Sequence, residues 1–224
     1  MLRAVVTFAL LAVTARPLAQ AAAPAGRVLG TVKLTEADGK PGLPSEVIVY
    51  ITGFAEPPAG TTAKIEQKGR RFLPDLVAVT VGDKVEFPNR DPFLHNVFSQ
   101  SSPRKFDLGS FKKDESKDRQ FTQPGTVEVY CNIHPEMAAT VLVLPNRRHT
   151  RVGPDGKFAI DGVPPGTWTV FAYTRRATKP ASAKVTVTAG ADTTIDLALA
   201  RGAEPAHANK YGEKYRPERP TTYR

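Results

Sequence analysis

Apolar residues recur along this chain in short runs, and most of the runs alternate with polar residues at a period of two. That period places successive side chains on opposite faces and predicts strands. Residues 28–34 form the first run, and Glu36-Ala37-Asp38-Gly39-Lys40-Pro41-Gly42 predicts the turn that ends it. Val47-Ile48-Val49-Tyr50-Ile51 is continuously apolar, as suits the core of a sandwich. Residues 56–62, rich in Pro, Gly and Thr, read as a junction. Val77, Val79 and Val81 then alternate with Ala78 and Thr80, Gly82-Asp83 turns the chain, and Val85 and Phe87 continue the alternation to Pro88.

Residues 88–103 read as mostly loop with His95 inside it, and the charged stretch 112–119 reads as a solvated edge or loop. Gln123-Pro124-Gly125 predicts a turn into Val127-Glu128-Val129-Tyr130-Cys131. There Val127, Val129 and Cys131 share a face, so the thiol follows two valines into the interior. An apolar strand over 140–144 closes this region. A second series of turns and strands follows at 154–160, 162–173, 185–188 and 194–199. Beyond the first residues no amphipathic helical pattern occurs, so the predicted fold class is all-β. Residues 201–224 are rich in Lys, Arg, Pro and Tyr without apolar periodicity and predict a disordered basic tail.

Composition and charge add three points. Twenty Pro and 17 Gly among 224 residues suit many short strands and turns. A net charge of +9 favours acidic partners or surfaces, and no nucleic-acid-binding motif accompanies it, so nucleic acid is not an expected partner. The start of the chain has the three parts of a secretory signal: Met1-Leu2-Arg3, an apolar run over 4–15, and small residues at Ala19-Gln20-Ala21-Ala22-Ala23. That apolar run is shorter than the ~20 residues that span a bilayer. Residues 1–23 are therefore expected to be a signal peptide cut near Ala22 or Pro24. The mature protein is expected to be periplasmic or secreted, with no membrane span.

Cys131 is the only cysteine, so it cannot form an internal disulfide. An unpaired thiol in an oxidising compartment calls for another reason, and metal ligation is one. In Cys131-Asn132-Ile133-His134-Pro135-Glu136-Met137 a thiolate, an imidazole and a thioether follow one another three residues apart, on a tight loop leaving a strand. His95, on a distant segment, can supply a fourth donor. Cu(I) prefers soft sulfur and Cu(II) accepts imidazole nitrogen, and two His, one Cys and an axial Met make up a trigonal electron-transfer copper site. Pro135 stiffens the ligand loop. A structural zinc site is the lesser alternative, because zinc gains little from Met137. Each residue alone reads as ordinary core or loop. Together they predict one mononuclear copper, cycling between Cu(I) and Cu(II), at His95, Cys131, His134 and Met137. His149 and His207 lie among basic or tail residues and read as surface groups.

The stretch 64–144 resembles a cupredoxin of the plastocyanin and amicyanin group. The resemblance is carried by Val81-Gly82-Asp83-Lys84-Val85-Glu86-Phe87-Pro88-Asn89, His95-Asn96-Val97, Pro124-Gly125 and Tyr130-Cys131, and by the Cys-x-x-His-x-x-Met spacing. It implies a Greek-key β-sandwich over 62–145 and copper bound by the four residues already named. It also implies that Asn96 steadies the cysteine loop by hydrogen bonding. The edge of the His134 ring would be the electron port, with Pro88, Phe93, Ala138 and Ala139 as the apolar patch around it.

The flanks resemble a carboxypeptidase regulatory-like domain, a transthyretin-like sandwich. Gly30-Thr31-Val32, Val47-Ile48-Val49-Tyr50, Asp155-Gly156-Lys157-Phe158 and Val163-Pro164-Pro165-Gly166-Thr167-Trp168 carry that likeness. It implies a second, smaller sandwich from 27–55 and 146–200, split by the cupredoxin; two domains in series is the alternative. The expected function is not enzymatic. A monomer would take one electron from an exported donor and pass it to a redox protein such as a cytochrome c or a dehydrogenase. Multicopper oxidase chemistry needs His-x-His pairs, which the chain lacks. Copper carriage or storage without a redox role is the competing expectation.

Overall fold

The structure, a computed structural model, describes residues 23–102 and 104–215. All of the expected signal peptide except Ala23 lies outside the described residues. No helix among the described residues is long and apolar enough to cross a membrane.

The described residues are all-β. The chain opens with β1 (Gly26–Thr35) and β2 (Ile48–Thr52). Ten strands follow before it reaches the next partners of these two. They are β3 (Thr62–Lys64), β4 (Glu66–Gln67), β5 (Phe72–Leu73), β6 (Leu76–Thr80), β7 (Lys84–Pro88), β8 (His95–Ser99), β9 (Phe106–Phe111), β10 (Ser116–Gln120), β11 (Gly125–Tyr130) and β12 (Ala138–Leu144). The last five are β13 (His149–Arg151), β14 (Lys157–Val163), β15 (Gly166–Tyr173), β16 (Ala181–Val187) and β17 (Asp192–Ala200).

β1 lies between β14 and β17, parallel to the latter, and β2 lies between β13 and β15, with β16 beyond. These two sheets enclose a core that includes Val28, Val49, Ile51, Phe158, Val170 and Leu197. The intervening strands form a five-stranded sheet, β6-β12-β11-β8-β9, a three-stranded sheet, β10-β7-β3, and a two-stranded pair, β4-β5. The core of this second sandwich includes Val85, Phe87, Val97, Phe111, Val127, Val129 and Cys131, all fully buried.

β12 is buried at every position, because both of its faces are covered. Ala139, Val141 and Val143 face the second core. Leu142 and Leu144 instead pack with Leu76 and with Ile48 of β2, flanked by Tyr50 and Tyr173. The same period of two explains the unbroken apolar run of β2. Val49 and Ile51 enter the first core while Ile48 and Tyr50 face the other sandwich. The two sandwiches therefore share a small apolar cluster, and Arg151 ties them further by donating from Nη2 to the Leu76 carbonyl at 2.6 Å.

Four expectations need correction. His95 begins a strand, β8, and is not in a loop; β8 is buried throughout between β9 and β11, so no polar alternation marked it. The tail is not free up to residue 215. Arg201 is buried, with its guanidinium bonded to Glu36, Glu46 and Thr174. Beyond it, Lys210 and Tyr215 bond to the ligand-bearing sandwich. His207 lies flat on Tyr130, with ring centroids 4.0 Å apart, and is not a plain surface group. His149 is half-buried in β13, opposite Tyr50.

Burial pushes His149 below the ordinary histidine value. As pH falls, the unfolded chain therefore takes up this proton before the folded chain does. Stability should drop as pH falls through the ordinary histidine range near ~6.5. His149→Gln should flatten that part of the curve, read as denaturant midpoints between about pH 8 and 5. An unchanged slope would contradict the assignment.

Candidate metal centre

Cys131 directly follows the last residue of β11, on the same inward face as Val127 and Val129, and all three are fully buried. The chain then folds back within six residues into β12. The Met137 N–H donates to the His134 carbonyl at 3.1 Å, and the Cys131 N–H donates to the Met137 carbonyl at 3.2 Å. Pro135 occupies the second position of the turn from His134 to Met137, where its fixed φ suits the bend. Met137 is fully buried in the same core as Cys131.

His95 enters from β8, in the same sheet. Its Nδ1 lies 3.0 Å from His134 Nδ1. Cys131 Sγ lies 4.0 Å from the former and 3.8 Å from the latter. A triangle with sides of 3.0, 3.8 and 4.0 Å has its centre about 2.1 Å from each corner, the reach of a metal–imidazole bond and near that of a metal–thiolate bond. These three side chains can hold a metal ion.

The surroundings fix which ring nitrogen is presented. His95 Nε2 lies 2.8 Å from Asp91 Oδ2. An ionised carboxylate only accepts, so Nε2 carries the proton and Nδ1 keeps its lone pair for the centre. Partial burial works against ionisation of Asp91. Backbone N–H donors from Arg70 and Gly69, together with the His95 ring, outweigh it and hold the carboxyl below its usual value. Asn89, fully buried, sets the loop in between. Its amide donates to the Phe93 and Phe111 carbonyls at 2.9 and 3.2 Å, and its Oδ1 accepts from the Asp91 N–H at 2.9 Å. Sequence reasoning missed Asp91. Its one signal was a carboxylate four residues before a candidate histidine ligand, and Asp91-Pro92 reads as a turn.

Two backbone donors face the sulfur: the Asn96 N–H at 3.5 Å and the Ile133 N–H at 3.4 Å. Asn96, expected to steady the cysteine loop by hydrogen bonding, turns its main-chain N–H to the sulfur, while its side-chain amide donates to Asp107 and to the Gly109 carbonyl, both at 2.8 Å. The expected apolar patch also changes. Pro88, Ala138 and Ala139 are buried, the two alanines because β12 is covered on both faces. Phe93 is 38% exposed, with its ring 5.2 Å from that of His95 and 5.6 Å from that of His134. Leu94 and Ile133, one residue from His95 and His134 in sequence, are 48% and 43% exposed.

A family model for the carboxypeptidase regulatory-like domain matches residues 125–200, a span that begins within the ligand-bearing sandwich, at β11. No curated protein matches the chain. Among solved structures, a novel purple cupredoxin from Nitrosopumilus maritimus is 22% identical over 36% of this chain and 98% of its own, with a TM-score of 0.34. A reduced amicyanin variant is 26% identical over 42% of this chain and 97% of its own, with a TM-score of 0.35. A copper-containing nitrite reductase from Thermus scotoductus SA-01 is 25% identical over 42% of this chain and 25% of its own, with a TM-score of 0.36.

Proposed function

We propose that this chain binds one copper ion through His95, Cys131, His134 and Met137 and carries single electrons outside the cytoplasm. The observation that carries the reading is the convergence of two imidazole Nδ1 atoms and one thiol sulfur around a common point about 2.1 Å from each, a distance suited to metal bonds. A thioether three residues after the second histidine completes a donor set suited to copper and poorly suited to zinc. When bound there, copper supplies a Cu(I)/Cu(II) couple.

The protein's part is to keep the donors still. Asp91 orients the His95 ring, two N–H groups face the Cys131 sulfur, and Pro135 limits the loop. Burial favours electron carriage over copper delivery. His95, Cys131 and Met137 are fully buried and His134 is 5% exposed, whereas a delivery site must open to hand over its ion. Phe93 covers the two imidazoles on the solvent side and is the contact point for a redox partner. The leader-like start of the chain supports export, and the net charge of +9 suits an acidic partner.

The test is to load the mature protein with one equivalent of Cu(II) and record its visible spectrum during a reductive titration. An intense thiolate band that one electron bleaches and reoxidation restores supports the reading. A colourless, readily exchanged complex would favour copper carriage. Phe93→Ala should leave the band in place and slow Cu(I)/Cu(II) self-exchange about tenfold, because it truncates an exposed aromatic at the contact surface. NMR line broadening in mixtures of the two redox forms reads that rate, and an unchanged rate would remove Phe93 from the path.

A further inference from the structure

The segment after Arg201 crosses from the first sandwich to the second and reaches the cysteine ligand loop by Tyr215. Three anchors hold it there. The His207 ring stacks on Tyr130, the residue before Cys131, at 4.0 Å with 14° between planes. Lys210 donates from its backbone N–H to Asn132 Oδ1 at 3.0 Å and from Nζ to Asp107 Oδ2 at 2.7 Å, while its carbonyl accepts from Gln100. The Tyr215 hydroxyl donates to the Cys131 carbonyl at 2.7 Å, and its ring meets His207 edge-on at 5.4 Å. The segment therefore contacts Tyr130, Cys131 and Asn132, three consecutive residues at the site.

We propose that Tyr215, supported by Lys210, is a positioning residue that fixes the Cys131–Asn132 peptide from outside and so sets the orientation of the cysteine sulfur. The geometry gives the reason. The Cys131 N–H is already committed to the Met137 carbonyl, which closes the loop from one side. The other end of the residue, its carbonyl, is held by Tyr215. The next amide, that of Ile133, points back at the sulfur at 3.4 Å. Movement of the chain at Cys131–Asn132 would carry the Ile133 N–H away from the sulfur; Tyr215 resists it by holding the Cys131 carbonyl, and Lys210 by holding the Asn132 side chain. Asp107, which receives Lys210 Nζ, also accepts from the Asn96 side chain, whose own N–H faces the same sulfur. The segment thus braces both backbone donors to Cys131.

The copper arm of the test rests on the function proposed above; the other arm needs no metal. Tyr215→Phe keeps the ring against His207 and removes only the hydroxyl. In the metal-free full chain, amide exchange at Ile133 should become about fivefold faster, as expected when one hydrogen bond is lost. In the Cu(II)-loaded full chain, the thiolate band should move from its wild-type position. Tyr211→Phe, in the same segment but 71% exposed, should change neither. Unchanged exchange at Ile133 in Tyr215→Phe, equal acceleration in Tyr211→Phe, or a loaded band that superimposes on the wild type would each overturn the proposal. A wild-type protein with no thiolate band would count against the copper reading alone, and the exchange arm would still decide the role of Tyr215.

Discussion

Replacing Asp91 with alanine should weaken Cu(II) binding by about 10- to 100-fold, the usual cost of losing the carboxylate that orients a histidine ligand. The wild-type carboxylate holds the proton on His95 Nε2 and so keeps Nδ1 available. Without it, either ring nitrogen can carry the proton, and the ring loses its orienting bond. Asp91→Asn keeps an oxygen acceptor and should recover much of the affinity. Competition against a chelator of known strength measures both variants. Because Asp91 also accepts from the Gly69 and Arg70 amides, the metal-free melting point must be read alongside. Equal copper affinity in the wild type and Asp91→Ala would show that Asp91 does not tune the site.

Cys131→Ser should have the larger effect on the spectrum. The thiolate-to-copper band should vanish, because a serine oxygen offers no soft donor and no comparable charge transfer. The buried hydroxyl would take the place of a sulfur that the Asn96 and Ile133 N–H groups already face, so the structural cost should stay below the ~1–3 kcal/mol of an unpartnered buried hydroxyl. Chemical denaturation of the metal-free variant separates that structural cost from loss of the ligand. A band that survives the substitution would mean that the sulfur is not a ligand.

Much of the site was legible because its chemistry is local. Cys131, His134 and Met137 lie within one short loop, and the period of two in β11 placed the sulfur inside before any contact was known. Other features depend on long-range contacts that no local pattern records. β8 is covered on both faces, so His-Asn-Val-Phe-Ser shows no alternation and its start reads as loop. Ala138 and Ala139 looked suited to a surface patch, yet β12 is enclosed by β6, β11 and the other sandwich. The segment after Arg201 has the composition of a tail, and its anchors are scattered polar and aromatic contacts without a repeat. Turn motifs such as Asp155-Gly156-Lys157 were readable, but the parallel pairing of β1 with β17 joins residues too distant for sequence patterns to connect.

The most direct measurement is copper-edge X-ray absorption on the loaded wild-type protein in both oxidation states. A buried, preformed site made by His95, Cys131, His134 and Met137 predicts the same nearest neighbours in both: one short sulfur and two nitrogens, with little change on reduction. A shell without sulfur, or one that gains oxygen ligands on oxidation, would contradict it.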